Sequence, residues 1–249
     1  MGYAAGFAAR VAMRDARAQE SPVTQVRMEL QASIDAYFEI VSKDEHSGLY
    51  QIELNLLGRV AVQSLTETFS FHPLVRDLDG LVLDDPNTSN HHILLRRHPF
   101  EGHVLYLAHD GNSKIVFPSL ADFLCAADAA KASGQLLSEL HPLVSPHEMD
   151  QKAVSHLVRS LVQGTDEGVS VALALIPSMD LSDIDLLAEL VQHEDFFVGE
   201  AVGEAIAQRP SSVLREVALL CSKHPHPQAA RAGAKALLAI GGVSSRSSV

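Results

Sequence analysis

The second half of the chain repeats itself. A shift of 31 residues lays Val171, Ala174 and Leu175 on Val202, Ala205 and Ile206, and His193, Ala201, Ala205 and Ile206 on His224, Ala232, Ala236 and Leu237. Almost every recurring position is small or aliphatic. Second helices are expected between these units: Ser182 to Val191, with Ile184, Leu187, Leu190 and Val191 at helical spacing, and Ser211 to Cys221, with Val213, Leu214, Val217, Ala218 and Leu220. Each unit is then a helix pair. Such a pair cannot bury both faces alone, so it stacks on its neighbour and builds a curved array with an extended surface. An ordinary helical bundle is the alternative.

Before about residue 145 the periodicity is different. Tyr50 to Leu56 alternates, with Ile52, Leu54 and Leu56 on one face and Gln51, Glu53 and Asn55 on the other, and Leu57-Gly58 marks a return into Val60 and Val62. This predicts an antiparallel hairpin with one wet face. His91 to Arg96, His103 to Ala108 and Lys114 to Phe117 are short β-rich runs, the last two joined by the turn signal Asp110-Gly111-Asn112. A three-stranded meander follows. After Pro118, Ser119 is placed to cap a helix over about 119–132, with Asp122 at the capping-box position ahead of Phe123, Leu124 and Ala127.

Two stretches resemble known families. HPHPQAARAGAKALLAI resembles a HEAT repeat, its prolines preceding the first turn and Arg231, Ala234 and Leu237 recurring at helical spacing. Gly102, the run His103-Val104-Leu105-Tyr106-Leu107, the turn His109-Asp110-Gly111, and then Ser119-Leu120 and Phe123-Leu124 resemble the end of an SMI1/KNR4 (SUKH) domain. That resemblance implies an α+β fold whose bent antiparallel sheet serves as a binding surface. In bacteria it implies immunity proteins that neutralise a cognate secreted toxin. The family has no defining active site, so no catalytic residue is carried over.

Composition narrows the function classes. Thirty-one acids against nineteen Lys plus Arg leave a net charge of −12, which opposes sequence-independent binding to nucleic acid. Between Asp35 and Asp85 stand ten acids against Lys43, Arg59 and Arg76 alone, whereas Asp150 to Val249 has twelve acids and eight bases. A basic partner would favour the first half. No apolar run approaches the ~18 residues of a membrane span. The Ala-rich start from Gly2 to Ala12 has no basic n-region. Cys125 and Cys221, each among apolar helical residues, are expected as buried small hydrophobes, and nothing points to an oxidising compartment. A cytoplasmic protein is the expectation.

The polar stretch from Asp84 to Asp110 raises the question of chemistry. Its five histidines (His91, His92, His98, His103 and His109) are spaced 1, 6, 5 and 6 apart, which fits no zinc pattern. On an extended strand His103 and His109 stand roughly 20 Å apart at ~3.3 Å per residue. A metal would require the sheet to bring His91, His98 and His109 together. The oxygens of Asp84 to Asn90 do not make an EF-hand, since the sixth position from Asp85 is Asn90 and the twelfth is Arg96. Asx-type turns explain them, with Pro86 fixing φ and Asn87 and Asn90 bonding their own backbone. Ser89, His92 and Asp110 could suggest a hydrolase, but no nucleophile elbow accompanies them, and no Gly-rich phosphate loop occurs. Arg96 and Arg97 follow Ile93-Leu94-Leu95, one facing each side if the strand continues, to meet a partner or the chain's own Asp84 and Asp85.

The expectation is therefore an α+β domain, an antiparallel sheet with flanking helices, followed by an all-α HEAT-like helical repeat region. Its divisions are an N-terminal helix or accessory segment over 1–29, the sheet domain over 30–145, the array over 146–241 and a disordered tail over 242–249. It acts by binding a protein, a basic secreted toxin under the immunity reading, with no catalytic residue, no cofactor and no metal. The partner-binding candidates are Asp84, Asp85, Asn87, Asn90, His91, Arg96, Arg97, His109 and Asp110. The alternative is a scaffold or adaptor whose helical array is the binding element.

Overall fold

The computed structural model describes residues 22–246. It is α+β in its first part and helical in its second, with a four-stranded antiparallel sheet and ten helices among the described residues. The helices are α1 (Pro22–Val41), α2 (Arg59–Thr68), α3 (Pro73–Asp77), α4 (Leu120–Ser133), α5 (Gln151–Val162), α6 (Asp166–Leu175), α7 (Ile184–Val191), α8 (Phe196–Gln208), α9 (Arg215–Ser222) and α10 (Pro227–Arg246). The strands β1 (Leu81–Val82), β2 (His91–Leu94), β3 (Val104–Leu107) and β4 (Lys114–Phe117) pair in chain order. None of the described helices is long and apolar enough to cross a membrane.

The expected meander is β2, β3 and β4, and β1 adds a fourth strand at its edge. Ile93 pairs with Val82 on one side and Leu105 on the other. The helix after the meander begins as its cap dictates: Ser119 Oγ accepts the Asp122 N–H at 3.1 Å and lies 2.5 Å from the Asp122 carboxylate. Gly134, with φ +73°, ends it in the left-handed conformation.

The predicted hairpin over Tyr50 to Val62 does not form. Tyr50–Ile52 is a single 3₁₀ turn, Leu54 and Leu56 make only isolated bridges to Leu49 and Asp84, and Gly58 is the N-cap of α2. The alternation is nonetheless real, since Ile52, Leu54 and Leu56 are all buried. An extended segment lying along a core edge needs the same period as a strand. Val62 turns inward from α2, whereas Val60 is 80% exposed.

Apolar alternation in the strands feeds two cores. Val82, Ile93, Leu105, Leu107 and Ile115 point to one face, and Leu94, Val104, Val116 and Phe117 to the other. The second face is covered by α1 and α4 through Ile34, Tyr37, Phe123, Leu124 and Ala127. Tyr37, fully buried, donates its hydroxyl to the Leu83 carbonyl at 2.8 Å. The first face is covered by the helical region, because Ile93, Leu105 and Ile115 share one core with Val171, Ala174, Leu175 and Ile206. The array packs on the sheet. No break in the core falls at 145/146.

The 31-residue recurrence is structural. From α7 to α9 the helix start moves from Ile184 to Arg215, and α6, α8 and α10 begin at Asp166, Phe196 and Pro227. His193 and His224 close equivalent turns, each accepting at Nδ1 the N–H two residues on, from Asp195 and from His226, at 3.0 Å. Glycines let these helices touch: a Cβ on Gly233 would lie 2.2 Å from Ser222 N, and one on Gly203 would lie 2.7 Å from the Ala232 Cβ.

Three further expectations change. The division at 29/30 falls inside the continuous helix α1, and residues 242–246 of the expected tail are helical in α10. Residues 1–21 of the segment expected over 1–29 and the last residues of the tail lie outside the described residues. Cys125 is exposed, because Phe123, Leu124 and Ala127 take the inward face of α4, whereas Cys221 is buried as expected.

Candidate functional site

The polar stretch from Asp84 to Asp110 folds around one end of the sheet, where the loop before β2 meets the turn between β3 and β4. Asn90 joins them, its side-chain oxygen accepting the His109 N–H at 2.8 Å. Asn55 braces the loop from below by donating to the Asp85 carbonyl at 2.7 Å. The Asx-type bonds are made by neighbours of the expected residues: Asp85 accepts the Asn87 N–H, and Thr88 Oγ1 the Asn90 N–H. Asn87, with φ +59°, turns the loop, and Asn87, His109 and Asp110 are exposed at its tip.

Two of the expected contact residues face inward. Asp84 is 0% exposed and His91 5%, so neither is offered to a partner. His91 Nδ1 donates to the Asp84 carbonyl at 3.0 Å, and its ring meets Phe69 edge-on. Arg96 and Arg97 lie at the opposite end of β2, and the strand stops before them. They bond the end of α3 and the loop after it: Arg97 the Asp77 carbonyl at 2.6 Å, and Arg96 the Asp79 carboxylate at 2.5 Å. They do not flank Asp84 and Asp85. The candidate surface is therefore the tip formed by Asp85, Asn87, Asn90, His109 and Asp110.

Beneath this tip lies a polar chain that the sequence did not reveal. Asp84 Oδ1 accepts the backbone N–H of His92 and Oδ2 meets its Nδ1, both at 2.6 Å. His92 Nε2 meets His141 Nε2 at 2.9 Å. A buried carboxylate is tolerated only when its oxygens are bonded, and His92 supplies both bonds. Phe123 and Tyr106 pack on the His92 ring, and Tyr106 also packs edge-on to His141. The carboxylate partner of His92 is thus Asp84 rather than Asp110, and among the described residues no serine is hydrogen-bonded to it.

Burial shapes the titration of this end. The His141 pKa is pushed down to about 3 by desolvation, with the neighbouring His92 and Lys114 charges adding to it. Desolvation also lowers Lys114, half buried on β4, and raises Tyr106, which Glu53 and Asp84 push further up. Among the described residues no group of three or more His, Cys, Asp or Glu is disposed to hold a metal ion. In particular His98 lies by Glu101 and Asp150, away from His91 and His109.

The fold and this site define an α+β sheet unit fused through one core to a helical repeat. No protein-family model, no curated protein and no solved structure matches the chain.

Proposed function

We propose that this is a non-enzymatic protein-binding protein that neutralises a basic secreted toxin in the cytoplasm by covering it. The observation that carries the reading is the pre-organised tip, in which Asn87, His109 and Asp110 are held out by the Asn90–His109 and Asn55–Asp85 bonds over the buried Asp84–His92 pair. A loop already fixed loses little conformational freedom on docking. The net charge of −12 favours a basic partner and speeds its encounter. The resemblance to SMI1/KNR4 immunity proteins points the same way.

Co-expression with the product of the neighbouring open reading frame tests the proposal. Protection of the cells and co-purification are expected, both lost in the double variant Asn87→Lys, Asp110→Lys at unchanged melting temperature. A wild-type chain that neither protects nor co-purifies overturns it.

A second reading makes the HEAT-like array the binding element of a scaffold or adaptor. It is favoured by the large apolar side chains left open there, of which Val213 at 71% and Leu238 at 79% are the most exposed. Val213→Asp with Leu238→Asp abolishes binding under this reading and spares it under the first. Substitution is the cleaner comparison, because truncation near residue 145 uncovers Ile93, Leu105 and Ile115.

A further inference from the structure

The Asp84–His92–His141 chain dictates where its protons sit. An ionised carboxylate only accepts, so a neutral His92 carries its proton on Nδ1, 2.6 Å from Asp84, and leaves its Nε2 bare. Nε2 of His141, 2.9 Å from that bare nitrogen, is then the donor. This leaves Nδ1 of His141 as the bare outer nitrogen. His141 is partly exposed, and its Nδ1 makes no hydrogen bond among the described residues.

We propose that Asp84, His92 and His141 form a proton relay whose outer end, Nδ1 of His141, is a contact point for the partner. That nitrogen accepts a hydrogen bond from a partner N–H or O–H while the relay is empty, and donates one after the relay has taken a proton. The role of a partner here rests on the protein-binding function proposed above. In the transfer, a proton from solvent forms a new N–H bond at Nδ1 of His141. The Nε2–H bond of His141 breaks, and its proton binds Nε2 of His92. His141 ends neutral with its tautomer reversed, and the positive charge lies on His92 against the Asp84 carboxylate.

The surroundings favour this placement of the charge. Lys114 from β4 and the desolvated setting both oppose a cation on His141 itself. Asp84, which follows β1, holds both its oxygens on His92. Tyr106 from β3 packs beside both rings, and Glu53 from the segment before α2, hydrogen-bonded to Ser138, acts on Tyr106. Phe117 and Phe123 complete the walls without charge.

The test uses the full chain without any partner: ¹⁵N NMR of histidine-labelled protein, titrated from about pH 8 to about pH 4 across the range where imidazoles change charge. At the start His92 Nε2 and His141 Nδ1 are bare. On acidification His141 exchanges its protonated nitrogen, Nδ1 gaining what Nε2 loses, while His92 becomes the doubly protonated ring. A His141 that itself becomes doubly protonated, or that keeps its Nε2 proton throughout, overturns the relay. Lys114→Met leaves all three residues in place and moves the exchange to higher pH; an unmoved exchange also counts against it. Because these readings need no partner, failure to find a toxin leaves the relay standing, and loss of the relay leaves the binding function standing.

Discussion

The two faces of the sheet are filled by different chemistry. Against the array, Ile93, Leu105, Leu107 and Ile115 meet Val171, Ala174 and Leu175 in an aliphatic core. Against α1 and α4, Leu94, Val104 and Val116 share their face with Phe117, Tyr106 and the Asp84–His92–His141 chain. Aliphatic burial is non-directional and tolerates repacking, whereas a buried carboxylate tolerates no loss of its partners. Both faces bury apolar side chains, but only the second also fixes a single arrangement of the loop that carries the binding tip.

Breaking the polar face has the largest effect. Asp84→Ala strands the backbone N–H and Nδ1–H of His92 in the core, and urea unfolding should show a loss of about 4 kcal/mol. On the aliphatic face Leu105→Ala should cost about 3 kcal/mol, with the Asn90–His109 contact intact by NMR. If the two variants disturb the tip equally, the division of labour between the faces is wrong.

Acid separates the faces further. In the unfolded chain His141 takes its proton near pH 6.5, whereas in the fold it resists down to about 3. The unfolded state binds more protons between these values, so stability falls as pH drops below about 6.5 and levels off below about 3. The slope is on the order of 1 kcal/mol per pH unit. His141→Phe should flatten it and Leu105→Ala should keep it, as unfolding at pH 7 and pH 5 would report. Smallest is Arg96→Ala, which removes an exposed pair with Asp79 and should shift stability by under about 1 kcal/mol.

Locally encoded elements were legible in the sequence. Strands β2 to β4, the Ser119 cap and the repeat each rest on a pattern within a few turns of chain. β1 was not legible, because two residues carry no periodicity, and without β1 the approach of Asp84 to His92 could not be read. With Val82 opposite Ile93, the register brings them together. His141 joins from 49 residues beyond His92, a distance no local pattern spans. The tip was found by its composition. The burial of Asp84 and His91 was not, since acids and histidines ordinarily face water.

The shared core also orders events during synthesis. Strands β1 to β4 are complete at Phe117, but the helix that covers their aliphatic face ends only at Leu175. Until that helix has left the ribosome, Ile93, Leu105 and Ile115 lack Val171, Ala174 and Leu175 and are covered only in part, by Leu74, Val75 and Leu78. The nascent chain therefore passes through a window in which it is sticky toward other proteins, and in which a chaperone that shields apolar surface raises the yield.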